Sequence, residues 1–115
     1  MNLRVIDSAT FAELQETAGA DFVAELVDTF LEDAPSLLTE LRSARAAADA
    51  DRFRRAAHSL KSNSHTFGAS ALGAMARELE LNGLAAEPAR DLAAIDAIDS
   101  AFASAAAELK GLRHG

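Results

Sequence analysis

The sequence of 115 residues contains no cysteine, no tryptophan and no tyrosine. Without cysteine there is no disulfide, no thiolate zinc site and no cysteine nucleophile. Six phenylalanines are the only aromatic residues, so a surface that stacks nucleic-acid bases on rings is not expected. No apolar run approaches the roughly 20 residues that span a bilayer, and residues 1–8 are too polar for a signal peptide. We therefore expect a cytoplasmic protein that does not enter the membrane.

Proline and glycine are also scarce, with two and six copies, whereas 28 residues are alanine. Because alanine is the best helix former and allows helices to pack closely, the composition predicts an all-α domain. The 18 acidic and 11 basic residues give a net charge of -7. A protein that binds duplex nucleic acid needs an excess of cations, so this balance argues against one.

Apolar residues recur at three- and four-residue steps along most of the chain, which predicts amphipathic helices. The predicted helix starts are Asp7 or Ser8, Asp21, Asp49 or Asp51, Ser70, and Glu87-Pro88, and the predicted ends are Gly19, the stretch 46–50, Gly68, and Asn82-Gly83. Pro35 lies inside the second helix, where it predicts a kink or a short break. Four long helices with short connections predict an antiparallel up-down four-helix bundle over residues 1–115, with the short first helix across one end.

The third and the last helix each have a predicted buried stripe. In the third helix the stripe is Phe53, Ala57, Leu60, Ser64 and Phe67. In the last helix it is Leu92, Ile95, Phe102, Ala105, Leu109 and Leu112. These spacings follow a helix seam.

His58 is the most informative of three histidines, since His114 lies next to the end of the chain. At 100° per residue, the stripe of the third helix turns His58 away from the core and into water. Arg54, Lys61 and Ser62 lie one turn from it, and His65 two turns, on the same face. Neutral imidazole is a nucleophile, and neighbouring cations attract an anionic group, so this face suits phosphoryl transfer.

The charge is unevenly distributed. Residues 52–77 contain five basic residues and no acidic one, while the remainder contains 6 basic and 18 acidic residues. A purely solvated basic face, and a purely solvated His58, are the alternatives to a functional site. His58 and His65 are two turns apart, too far to share a metal ion, and no metal site is predicted.

The stretch from Ala56 to Ser64, followed by Phe67-Gly68-Ala69, resembles the histidine-containing phosphotransfer (HPt) domain family. Leu72, Leu79 and Glu80 match the helix that follows in that family, and residues 30–35 match the helix upstream. The resemblance covers nearly the whole chain. It places Pro35 inside a helix of the family pattern.

The resemblance implies a role for each matching residue. His58 would be the phosphoryl acceptor, reacting through Nε2, and Lys61 would neutralise the phosphoryl group. Gly68 would permit adjacent helices to pack closely, and Glu80 would lie near the histidine. Ser62 departs from the family, which usually has glycine there, but serine is small and leaves access to His58.

The dimerisation helix of histidine kinases has a similar pattern, with an acid directly after the histidine and a proline five residues after it. Here those positions are Ser59 and Asn63, and no ATP-binding domain is expected. The resemblance therefore implies a phosphoryl carrier without autokinase activity. Its expected partners are receiver domains and a hybrid histidine kinase.

The carrier would need no cofactor of its own, because Mg²⁺ belongs to the receiver domain. Arg54 or Arg55 would add charge, and Phe11, Leu14 and Phe22 are candidates for a docking patch or for the core, with the core favoured for Leu14. A monomer is expected. The alternative is a helical docking module that binds a partner without phosphotransfer.

Overall fold

The computed structural model describes residues 6–112, which form five α-helices and no strand. The helices are α1 (Ser8–Ala18), α2 (Ala20–Ala46), α3 (Ala50–Thr66), α4 (Ser70–Asn82) and α5 (Pro88–Leu112). The prediction of an all-α fold is confirmed. His114 lies outside the described residues. Among these residues no helix is long and apolar enough to cross a membrane.

Capping side chains set some helix starts as predicted. The Asp7 carboxylate accepts the backbone N–H groups of Ala9 and Thr10, and the Asp49 carboxylate accepts that of Arg52. Both satisfy amide groups that have no partner within the helix. α5 begins at Pro88, as predicted.

Two predicted caps are wrong because the helices begin earlier. Val23 N–H already donates to the carbonyl of Gly19, so α2 starts at Ala20 and Asp21 lies in its first turn. Gly73 N–H donates to the carbonyl of Ala69, so Ser70 is the first residue of α4 rather than its cap.

Of the predicted kink or short break at Pro35, the break does not occur, since α2 continues through Pro35 to Ala46. Proline removes one backbone donor, which costs most where the freed carbonyl is buried. Pro35 lies on the exposed side of α2, while Ala34 and Leu38 beside it are buried. Packing on the buried side thus holds the helix together.

The core lies between the four long helices. All five predicted stripe residues of α3 are buried. In α5, Ile95, Phe102, Ala105 and Leu109 are buried as predicted, and Leu112 packs on the core. Leu92 is 42% exposed, contrary to prediction, whereas Asp91 and Ile98 are buried. Asp91 was not expected in the core because its partner lies on another helix.

α2 packs against α3 and α5, α4 packs against α3 and α5, and α1 packs on α2. α3 and α4 run in opposite directions, since His58 contacts Glu80 while His65 contacts Gly73. α1 is also tied to the α3–α4 turn, because Asp7 N–H donates to the carbonyl of Gly68 at 2.8 Å.

Candidate functional site

His58 lies in the middle of α3 with 55% of its side chain exposed, as its position opposite the buried stripe predicts. Its Nδ1 is 2.6 Å from Oε2 of Glu80 on α4. An ionised carboxylate can only accept a hydrogen bond, so Nδ1 carries the proton. In the neutral ring the lone pair is then on Nε2, which has no hydrogen-bond partner among residues 6–112.

Glu80 also binds Lys61, whose Nζ lies 2.7 Å from Oε1. The Lys61 ammonium, followed by the hydrogen bond from His58, holds the pKa of the Glu80 carboxyl below its ordinary value of 4.5. Only 15% of the Glu80 side chain is exposed, so its position is fixed by packing as well as by charge. The structure therefore brings together the three residues that the resemblance proposed for one site: His58, Lys61 and Glu80.

His65 lies on the same face but in a different environment. A Cβ atom placed on Gly73 would be 2.6 Å from its Nε2, so the imidazole rests directly on the backbone of α4. Only a residue without a side chain allows this contact. The Nε2 atom of His65 therefore faces α4, whereas the Nε2 atom of His58 is open. This difference favours His58 as the nucleophile.

The basic segment, residues 52–77, does not form an unpaired basic patch, although its charge count alone suggested one. Arg52 binds Glu40 through two nitrogen atoms, at 2.7 and 3.0 Å. Arg54 and Arg55 both bind Asp51, at 3.2 and 3.0 Å. Glu40 lies on α2 and Asp51 just outside the segment, so only the tertiary structure and the helix register show the compensation.

Arg54 and Arg55 are therefore not poised beside His58. Asp51 lies seven residues before His58, about 10 Å along the helix axis. Both guanidinium groups are held on that side. Ser62, by contrast, is exposed one turn after His58, where it leaves room for an approaching group.

Gly68 makes a close packing contact with the start of α1. It lies in the α3–α4 turn with φ of +81°, and an added Cβ would be 2.9 Å from the carbonyl oxygen of Asp7. The close approach is thus with the start of α1, not between α3 and α4. Ten residues separate Gly68 from His58, so it does not control access to the imidazole.

The three residues proposed for a docking patch differ in their exposure. Phe11 is 2% exposed and belongs to the core, so the docking role proposed for it is wrong. Leu14 packs on the core, as favoured. Phe22 is 53% exposed, about two turns before Phe30, whose ring contacts Phe67 at the end of α3. Phe22 therefore lies toward the Gly68 end of the bundle and not beside His58.

A cleft of about 610 Å³ lies between α4 and α5. It is lined by Leu79, Asn82 and Ile98, among others, on the other side of α4 from Glu80. Asp91 in its wall is bound to Arg45 at 2.7 Å. Within residues 6–112, no group of three or more histidine and acidic residues is arranged to hold a metal ion.

An exposed imidazole, held at one nitrogen and open at the other, on a rigid helical bundle, suits a protein that carries a transferable group. Residues 25–112 match the family model described as the Hpt domain. The chain belongs to this family, whose members are phosphotransfer proteins of two-component signalling that work with receiver domains and histidine kinases. In general they are phosphocarriers rather than enzymes.

The chain is also similar to a solved structure, that of histidine-containing phosphotransfer protein B (HptB) from Pseudomonas aeruginosa PAO1. The TM-score is 0.84 at 30% sequence identity, and the match covers 98% of this chain and 97% of the other. No match was found among curated protein sequences.

Proposed function

We propose that the chain carries phosphoryl groups in a His–Asp phosphorelay. His58 accepts the group from an aspartyl phosphate on one receiver domain and passes it to the aspartate of another. The observation that supports this most directly is the hydrogen bond from His58 Nδ1 to Glu80, which leaves Nε2 as the only ring nitrogen with a lone pair.

The transfer forms one bond and breaks one. The Nε2 lone pair attacks phosphorus, and the bond between phosphorus and the acyl oxygen of the aspartyl phosphate breaks, so that its electron pair leaves on the carboxylate. The imidazole gains positive charge as it reacts while Nδ1 keeps its proton. The Glu80 carboxylate at 2.6 Å stabilises that charge, and Lys61 holds Glu80 in place.

The finer features of the proposal follow the family. The donor and acceptor are receiver domains that supply Mg²⁺, and a hybrid histidine kinase is the source of phosphate. The chain itself is one domain, residues 1–115, a cytoplasmic monomer with an up-down order of its four long helices and without autokinase activity. Phe22 is the exposed aromatic residue available for docking.

The test is phosphotransfer from a phosphorylated receiver domain, with label followed on the wild type and two matched variants. Wild type should take up label that is lost in acid and retained in base, which is the behaviour of phosphohistidine. His58→Gln should take up none. His65→Gln, a change of the same kind on the same face, should retain it because the His65 Nε2 is turned toward α4.

Two results would contradict the proposal. Label on His58→Gln at the wild-type rate would show that the site is elsewhere. Equal receiver binding by wild type and His58→Gln, with no label on either, would identify a docking module without phosphotransfer.

A further inference from the structure

The cluster around His58 has no net positive charge to offer a phosphoryl group. The Glu80 carboxylate and the Lys61 ammonium form an ion pair at 2.7 Å and cancel each other. A phosphoryl group on Nε2 brings further negative charge to the ring that Glu80 already contacts. Since phosphoryl transfer depends on charge neutralisation, another cation of this chain would add to the Mg²⁺ that the receiver supplies.

Most cations of the basic segment are paired with a carboxylate. Arg52 is held by Glu40 on the α2 side of α3. Arg54 and Arg55 are held by Asp51, on the side away from the turn that follows His58. Within residues 6–112, the only basic side chain of the segment that forms no ion pair is Arg77.

Arg77 is exposed on α4, next to the seam with α3. It lies three residues before Glu80, which contacts His58, and four residues after Gly73, which contacts His65. Residues at these separations are neighbours on a helix face, about 5–6 Å apart at Cβ. Arg77 therefore lies on the part of α4 that faces α3, and its long side chain can extend from there toward His58.

We propose that Arg77 is the cation that contacts the phosphoryl group on His58 during transfer. This inference rests on the proposed function and names a residue that neither the motif nor the basic segment singled out. A guanidinium presents paired N–H donors that match two phosphoryl oxygens. Lys61 then acts mainly on Glu80, as a positioning residue.

The test uses phosphoramidate, a small donor that does not dock on a protein surface. Its N–P bond breaks, ammonia leaves, and a new N–P bond forms at Nε2. Arg77→Gln removes the charge, Arg77→Lys keeps it, and Arg90→Gln is the matched control, an exposed arginine at the start of α5. Initial rates are measured with phosphoramidate and with a phosphorylated receiver, at low and high salt.

Arg77→Gln should slow labelling of His58 by both donors about three- to tenfold at low salt, and less at high salt, because this is an exposed charge interaction. Arg77→Lys should recover most of the rate, and Arg90→Gln should match wild type. A purely structural role would not show this rescue together with the salt dependence.

Three results would overturn the inference: an unchanged rate for Arg77→Gln, an equal loss for Arg90→Gln, or a change confined to the KM for the receiver. In each case label on His58 of the wild type leaves the proposed function intact. Failure of both donors to label His58 would instead refute the proposed function, and this inference with it.

Discussion

At the scale of single residues, one carboxylate organises the site. Glu80 accepts from His58 with one oxygen and binds Lys61 with the other. It thereby fixes both the tautomer of the His58 ring and the position of the Lys61 ammonium. The family resemblance implied instead that Lys61 acts directly on the phosphoryl group and that Glu80 only lies near the histidine.

The lowered pKa of Glu80 makes this contribution dependent on pH. Because its folded-state pKa lies below 4.5, the ionised carboxyl stabilises the fold above that value, and this contribution is lost as the pH falls through the lowered pKa. Glu80→Gln should therefore lower the free energy of unfolding at pH 7, and the difference from wild type should shrink as the pH falls below 4.5.

Urea unfolding at a series of pH values measures this difference. Glu78→Gln is the control, since Glu78 is an exposed residue of α4 that forms no ion pair among residues 6–112. A Glu80→Gln deficit that stays constant from neutral to acid pH would contradict the assigned role of the charge.

At the scale of elements, glycines fix how helices meet. Gly73 lets α4 lie directly under the His65 imidazole, and Gly68 lets the α3–α4 turn meet the start of α1. A Cβ atom at Gly68 would meet backbone, whereas at Gly73 it would meet the His65 ring, the far end of an exposed side chain. α1 is thereby joined to the turn at the end of the helix that carries His58.

Gly68→Ala should destabilise the protein more than Gly83→Ala. Both glycines have positive φ, so alanine costs about 1–3 kcal/mol at either from backbone strain. Only at Gly68 would the added Cβ meet a backbone atom, at 2.9 Å, whereas nothing lies within 4 Å at Gly83. At Gly68, displacing that backbone atom should add about 1–3 kcal/mol to the loss in the free energy of unfolding. Equal losses in urea unfolding would show that the contact with Asp7 is not tight.

At the scale of the whole molecule, a buried ion pair joins three parts of the chain. Arg45 near the end of α2 binds Asp91 at the start of α5 at 2.7 Å, with 11% and 5% of their side chains exposed. Asp91 also accepts from Ala85 N–H, and Arg45 donates to the Ala85 carbonyl. These interactions hold the α4–α5 connection against α2 and α5.

Removing one partner should be costly. Asp91→Ala leaves the Arg45 charge largely buried without its carboxylate, so we expect a loss of about 3–5 kcal/mol in the free energy of unfolding. Asp96→Ala breaks the exposed pair with Arg42 and should cost no more than about 1 kcal/mol. Chemical denaturation compares the two, and similar losses would show that burial does not set the difference.

Local periodicity predicts the five helices and the outward position of His58. Periodicity placed the stripe of Phe53, Leu60 and Phe67 in the core, and that stripe necessarily turns His58 outward, because both follow from 100° per residue. Family resemblance, not periodicity, pointed to Glu80. These features depend on local geometry or on a motif, so they can be read along one helix at a time.

The tertiary structure decided how charges and neighbours are shared between helices. It showed that Glu40 and Glu80 neutralise a segment that looked basic, that Asp91 is buried against Arg45, and that Gly68 meets α1. The partners are 12 to 61 positions apart. A charge count along the chain cannot find such pairs, since electrostatic energy depends on distance in space and on burial, which the packing of the helices sets.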